Sequence, residues 1–293
     1  MLGSAINCFQ RHLKAAGRAP STIASYSHAL ELLMGIVGNV KLAQINEEMI
    51  ENAVIRLSSA ARSTVTMNRI KSTFRSFFAW AAKSGLIPRN PAARLSLAKT
   101  DTQRTEPITS GEIETFIKTI RLSGDRHAER DYALFCIYAF TGVRRAEALA
   151  LRVKDYDAVS RTLYLPGTKG GHPRPQPVPR RLADALGCYI RLLQKGNGAA
   201  SAPACLFLGR NEHWPLSVRC AQTRFDKWKA ASGIRNNLTI HSFRSGFATL
   251  LHQQTGDILL VANALGHSDI QTTQRYIRLN MRTVREAIER AFV

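Results

Sequence analysis

The sequence predicts a mainly α protein of two domains, one all-helical and one mostly helical with a small antiparallel β-sheet. Three observations predict it. Apolar residues recur at helical spacing along most of the 293 residues. A polar stretch near residue 100 breaks that period and is followed at once by a helix-start signal. One pair of short strands flanks a Gly-rich turn in the second half. The length suits two domains, since one typically takes roughly 100–200 residues. The hydrophobic fraction of 45% is enough for a core in each.

Residues 1–97 form the first domain. Ile6, Phe9 and Leu13 mark one apolar face. Ser21 is placed to cap a second helix that carries Ile23, Tyr26, Leu30, Leu33 and Val37 on one side and closes at Gly38. A third helix runs from Asn46 to about Leu57. Ser63 or Thr64 opens a long helix with Ile70, Phe74, Phe77, Phe78 and Ala81 inward, stopped by Gly85. Its polar face shows Asn68, Lys71, Ser72 and Arg75, with Arg62 just ahead. Such a face suits docking on phosphates or entry into a groove. An ordinary solvated helix surface has the same look.

From Ser96 to Pro107 the apolar period disappears, and 98–107 reads as a linker. Thr109 and Glu112 fit a capping box that opens the second domain, 108–293, with Ile113, Phe116, Ile117 and Ile120 on its first helix. Asp131 to Phe140 predicts an apolar helix ended by Thr141-Gly142, and Arg145 to Leu151 a short one. Thr162–Leu165 alternates, turns through glycines, and returns through His172 to Pro179. Prolines at 173, 175, 177 and 179 strip N–H donors from one edge, whereas Arg174, Gln176 and Val178 keep theirs toward the hairpin partner. That strand can only be an edge. Helices follow to the end.

The charge is unusual: 41 Lys+Arg against 21 Asp+Glu give a net +20, spread along the chain. This points to a polyanionic partner, nucleic acid first and an acidic membrane surface second. No run reaches the ~18 apolar residues of a membrane span, and the start shows no secretory signal. Five cysteines, an odd number with no C-x-x-C pair, argue against a disulfide framework or a zinc site and for a reducing compartment. Cys136 reads as core packing. The expectation is a soluble intracellular protein.

Four segments of the second domain hold polar residues where packing does not ask for them. In Thr141-Gly142-Val143-Arg144-Arg145-Ala146-Glu147, a glycine turn delivers two arginines to a helix start, where guanidinium and N–H groups suit phosphate. Glu147 lies one turn on and is placed to fix Arg144. Lys169 sits at the hairpin tip among Gly167, Gly170 and Gly171, as a phosphate contact or, when desolvated, a proton donor. His241 and Arg244 share one face of a helix start, with Phe243, Phe247 and Leu250 toward the core. His267 follows a helix-ending glycine, and Ser268 or Asp269 caps the helix that carries Tyr276. Each segment alone also fits a bland role: a structural histidine, a packed tyrosine, a basic loop. Neither histidine has metal-ligand spacing to a second His or Cys.

Together and in this order, T-G-x-R, a hairpin lysine beside glycine, H-x-x-R, L-G-H and T-T-x-x-Y closely resemble the tyrosine recombinase family of phage integrases and Xer recombinases. The tyrosine stands nine residues after the last histidine. The resemblance spans nearly the whole chain. It implies a SAM-like core-binding domain followed by a catalytic domain of the DNA breaking-rejoining fold, together clamping duplex DNA. It implies Arg144, Lys169, His241, Arg244 and His267 around the scissile phosphate and Tyr276 as nucleophile. The link formed is to the 3′ phosphate, later attacked by a free 5′ hydroxyl. Many members read L-R-H where this chain has Phe243-Arg244-Ser245, a departure outside the catalytic set.

The chemistry agrees. A pentacovalent phosphorus transition state gathers negative charge that arginines and a histidine N–H offset. Tyrosine ionises near about pH 10, so a base such as His241 helps. Lys169 suits protonation of the leaving oxygen. A phosphotyrosyl link conserves the broken bond's energy, so no cofactor and no metal is called for. The partners implied are double-stranded DNA sites, further copies of the chain (a dimer on one site, a tetramer in synapsis) and an accessory DNA-bending protein. The setting implied is the cytoplasm, at the nucleoid, in a bacterium or from a phage.

At 281–293, Met281, Val284, Ala287, Ile288, Ala291 and Phe292 make an apolar stripe. It docks either on its own domain or, as favoured here, in trans on a neighbouring protomer. Two rivals remain. A type IB topoisomerase shares the nucleophile and arginine logic, and a DNA-binding regulator or architectural protein would reuse the scaffold without chemistry.

Overall fold

The computed structural model describes residues 1–60, 62–99, 105–167, 173–196, 205–209 and 214–266. The chain divides into two compact units, Met1–Thr102 and Gln103–Val293.

The first unit is helical. α1 (Leu2–Ala15), α2 (Pro20–Val37), α3 (Glu47–Ser59) and α4 (Thr64–Lys83) enclose one core, with a 3-10 turn at Leu42–Gln44. α1 buries Leu2, Ile6, Phe9 and Leu13 at helical spacing, and α4 buries Ile70, Phe74, Phe77, Phe78 and Ala81. The Phe9 ring meets Phe77 edge-on at 5.4 Å and Trp80 at 5.1 Å, an arrangement that aromatic quadrupoles favour. The side chains of Asn46 and Ser63 cap α3 and α4 by accepting from Met49 N and Thr66 N.

Ser21 does not cap α2. The helix starts at Pro20 with Ala19 as its N-cap and no side-chain cap. Proline at the first helical position brings a preset φ and lacks an N–H that would have been unpaired anyway, and that signal outweighs the serine.

In the second unit, α5 (Ser110–Arg121) opens on the Thr109/Glu112 capping box, with Thr109 N donating to Glu112 at 2.9 Å and Glu112 N to Thr109 at 3.2 Å. α6 (Ala128–Thr141) is buried nearly all round and packs against α5, α8 (Arg180–Gly196) and α10 (Ile240–Thr255). Phe116, Phe135, Phe225 and Phe243 interlock at its centre, with Phe116 5.0 Å from Phe135 and 5.4 Å from Phe243. Phe225 belongs to α9 (Val218–Ser232). Cys136 is core, as its place in the apolar run indicates, and burial pushes its thiol up to about 12.

α7 spans Arg145–Leu149 and stops short of Leu151, which is fully buried. Among the described residues the sheet has one strand more than the sequence reading: β1 (Tyr156–Asp157), β2 (Thr162–Leu165) and β3 (Arg174–Pro177), in that order and antiparallel. Two residues of pairing are too short to show a period, so β1 escaped notice. Among the described residues β3 is an edge, Leu163 opposes Gln176, and Val178 N donates to Arg161 O at 2.9 Å. An isolated bridge joins Leu208 and Pro215. α11 (Ile258–Leu265) ends at Gly266, whose φ of +64° suits glycine.

One buried polar cluster was not foreseen. Asp131 is fully buried and accepts from Arg130 Nε at 3.0 Å, Arg130 Nη2 at 2.8 Å and Trp228 Nε1 at 2.8 Å, and pairs with Arg224. Arg130 Nη1 also reaches Leu208 O at 3.0 Å. An aspartate inside an otherwise apolar run was the available signal, since a buried carboxylate must be paired.

Among the described residues no helix is long and apolar enough to cross a membrane.

Candidate active site

The site is built on the turn that ends α6. Gly142 takes φ +59°, a left-handed conformation, and a Cβ there would lie 2.5 Å from the Phe247 ring. The turn therefore demands glycine twice, for conformation and for space. It delivers Arg144 to the N-cap position of α7.

Glu147, fully buried, secures that arginine from both ends. Its Oε2 accepts from the Arg144 backbone N–H at 2.9 Å and its Oε1 from Arg144 Nη1 at 2.9 Å. Burial would push the Glu147 carboxyl up, but the Arg144 N–H, the Arg144 guanidinium and the Arg174 charge hold it below its ordinary value. The Arg144 side chain stays 35% exposed, so its fork can still reach outward.

Arg244 comes from the first turns of α10 and is 2% exposed. Its Nη1 donates to Gly142 O at 2.6 Å and its Nη2 to Leu265 O at 2.8 Å. Both carbonyls stand at helix C-terminal ends, where the backbone dipoles leave partial negative charge to hold a cation. One guanidinium thus ties the turn before Arg144 to the turn before His267. Phe243 faces the core, and Phe247 and Leu250 are half-buried on the same inner side.

His241 opens to solvent one turn before Arg244. Its surroundings on the protein side exclude water, and that burial, followed by the charges of Arg244, Arg144 and Arg145, pushes its pKa below the ordinary 6.5. These causes place Arg244, Arg144 and Arg145 within electrostatic reach of His241. At neutral pH the imidazole is therefore uncharged and able to accept a proton.

Lys169, His267, Tyr276 and the stripe at 281–293 lie outside the described residues.

Just ahead of α4, Arg62 is half-buried, its Nη1 donating to Leu57 O at 2.9 Å. Asn68 makes a two-way amide clasp with Ala98: Nδ2 donates to Ala98 O at 2.8 Å and Oδ1 accepts from Ala98 N at 3.0 Å. Lys71 Nζ donates to Ser96 O at 3.1 Å. These two side chains hold the outgoing chain on α4. Ser72 and Arg75 are exposed, as is Arg69, which the sequence reading did not single out.

Arg174 is the residue near the site that was missed. With the prolines of β3 outward, Arg174 and Gln176 share the inward face, and the alternation in the sequence is the signal that marks it. Its Nη2 lies 3.5 Å from Glu147 Oε2, and its guanidinium fills the space where a Cβ on Gly266 would be, 2.5 Å from Cζ.

A family model described as "Phage integrase family" matches residues 106–283, and the model "Phage integrase, N-terminal SAM-like domain" matches residues 6–85. The chain belongs to the phage integrase family. Tyrosine recombinase XerC of Chromobacterium violaceum is 29% identical over 279 residues, covering 95% of this chain and 91% of that relative. Among solved structures, the Tn1549 transposon integrase in complex with a circular intermediate DNA superposes with a TM-score of 0.77 at 20% identity, covering 98% of this chain and 99% of that one. A lambda integrase tetramer bound to a Holliday junction gives 0.76 at 18% identity, covering 94% and 77%. At such identities these two likenesses establish the fold: a SAM-like helical domain and the mostly helical integrase catalytic domain with its small sheet. The integrase fold accounts for the glycine turn of Arg144 and the helix start of His241 and Arg244 belonging to one unit.

Proposed function

We propose that this integrase-family protein is a site-specific DNA recombinase that cuts and rejoins strands through a covalent 3′-phosphotyrosyl link to Tyr276. The observation that carries the reading is the assembly of Arg144, His241 and Arg244 around the Gly142 turn, from two separate sequence motifs about 100 residues apart. Arg144 and Arg244 bind the non-bridging oxygens of the scissile phosphate and offset the charge that grows in the transition state. His241, uncharged at neutral pH, accepts the phenol proton as the Tyr276 oxygen attacks phosphorus. Lys169 protonates the departing 5′ oxygen, and His267 donates to the phosphoryl group. Rejoining reverses these steps with the 5′ hydroxyl of another strand. Each step conserves a phosphodiester-equivalent bond, so no outside energy source is needed.

The partner is duplex DNA, favoured by the net charge of +20. Residues 1–97 contact it through the α4 face and Arg62 just ahead of it: Arg62, Ser72 and Arg75 meet phosphates, and Asn68 and Lys71 also order the chain leading into the linker at 98–107. Residues 108–293 carry the chemistry. The neighbours named above include a DNA complex and a tetramer on a Holliday junction, which supports assembly of this chain on paired sites. The apolar stripe at 281–293 would dock in trans in such an assembly. An accessory DNA-bending protein completes some sites, and the reaction belongs in the cytoplasm at the nucleoid.

The test is strand exchange between two copies of a candidate site, recovered from the genomic neighbourhood. The wild-type protein yields recombinant product and Tyr276→Phe yields none while still retarding the DNA. A Tyr276→Phe variant with full biological activity would instead mark a DNA-binding regulator.

A further inference from the structure

The segment by which the chain enters the second unit lies against the helix that carries His241 and Arg244. Ile108 is buried and donates its N–H to Ser242 O at 3.2 Å. One turn further along α10, a Cβ at Gly246 would lie 2.5 Å from Ile108 O and 2.8 Å from Ile108 Cγ2. Only a glycine lets the two backbones come so close. At about 100° per residue, Ser242 and Gly246 share one face of α10 and Arg244 leaves from the opposite one. From that side Arg244 grips Gly142 O and Leu265 O. The first turns of α10 are thus held from two sides, by Ile108 and by Arg244.

Arg235, in the loop between α9 and α10, fixes the chain on either side of Ile108. Its Nη2 donates to Pro107 O and to Glu112 Oε2, each at 2.8 Å. Its Nε donates to Glu112 Oε1 at 2.6 Å and its Nη1 to Glu106 Oε2 at 3.2 Å. The loop is itself tied to α9, where Lys229 Nζ donates to Asn236 O at 3.0 Å and to Leu238 O at 3.3 Å. One planar guanidinium spans three residues here, which a point charge does not. Arg235 is exposed, and ion pairs in water contribute little stability, so what this arrangement fixes is position. We propose that Arg235 is a positioning residue for cleavage, seating Ile108 against Ser242 and Gly246 and so setting where α10 presents His241 and Arg244. It acts through these contacts and not on the phosphate. The inference rests on the reading of the site as one that cleaves DNA.

Single-turnover cleavage of a nicked site by saturating protein, well below the melting midpoint, separates positioning from stability. A role in stability alone would lower the midpoint and leave this rate unchanged. Misplacing reacting groups by about 1 Å can cost on the order of 100-fold in rate. Arg235→Gln is expected to slow cleavage about ten-fold or more, with DNA affinity within about two-fold of wild type. Glu112→Gln slows it less, and Arg235→Gln/Glu112→Gln is no slower than Arg235→Gln alone, because both act through one bracket. Arg235→Lys keeps the charge without the fork and falls between wild type and Arg235→Gln. It decides the matter should Arg235→Gln not fold. Three results overturn the proposal: a wild-type rate in Arg235→Gln or in Arg235→Lys, multiplied defects in the double variant, or weakened DNA affinity with the rate kept, which would make Arg235 a phosphate contact. Absence of any covalent adduct with the wild-type protein would overturn the functional reading itself.

Discussion

The Nη1 of Arg244 donates to the carbonyl of Gly142 at 2.6 Å, joining a buried side chain of α10 to the turn that positions Arg144. The same guanidinium holds Leu265 O at 2.8 Å. A lysine has one point of charge and no fork, so it cannot span both carbonyls. Leaving a buried carbonyl unpaired costs roughly 1–3 kcal/mol. Arg244→Lys should therefore lose cleavage and also lower the thermal midpoint by on the order of 10 °C. Calorimetry of the variant checks the second part, and an unchanged midpoint would remove the bracing role.

Gly142 and Gly256 form a matched pair. Both have left-handed φ, +59° and +66°, yet a Cβ at Gly142 would meet Phe247 at 2.5 Å and one at Gly256 would meet nothing within 4 Å. Gly256→Ala carries the conformational cost alone, about 1 kcal/mol. Gly142→Ala adds overpacking, a further 1–3 kcal/mol or so, and displaces Arg144. Urea denaturation of the two variants should separate them clearly. Equal destabilisation would contradict the steric account.

How far the sequence was legible follows from these same residues. The capping box at Thr109, the faces of α1 and α4, the proline-blocked edge strand and the Arg144–Glu147 spacing all follow from local rules, because each partner lies within a few residues. Arg244 was placed on its helix face, but its bonds to Gly142 and Leu265, 102 and 21 residues away, follow only from the packed fold. Arg174 lies 27 residues from Glu147 and needs the hairpin register before its inward face has meaning. Ser21 yielded to Pro20 because backbone geometry at a first turn outranks a serine one residue later.

Acid should loosen the start of α5. Hydrogen bonds from Arg235 hold the Glu112 carboxyl at about 2, below its ordinary 4.5, against the opposing effect of burial. A depressed carboxylate contributes stability above its unfolded value. That contribution is lost as pH falls from about 4.5 through about 2. The pair is partly exposed, so screening leaves on the order of 1 kcal/mol. Glu112→Gln should match that deficit at neutral pH and show a flatter stability curve across this window. Parallel curves for variant and wild type would count against it.

Cleavage should be insensitive to pH above neutrality and decline as His241 becomes protonated. Burial and then the neighbouring Arg244, Arg144 and Arg145 charges hold its pKa below 6.5, so the neutral base predominates at pH 7 and is lost only as pH falls through that depressed pKa. Single-turnover rates on nicked DNA, measured across this range for wild type and His241→Gln, report the change. The acid decline should be absent from the slow residual activity of His241→Gln. A decline of the same midpoint in both proteins would assign the titration elsewhere.

The residue to which the DNA becomes attached decides most directly whether Tyr276 is the nucleophile. Nicked site DNA should trap the wild-type protein as an SDS-resistant adduct, and protease digestion followed by mass spectrometry should recover the nucleotide on the peptide containing Tyr276. Recovery on a different residue, or an adduct that persists undiminished in Tyr276→Phe, would contradict it.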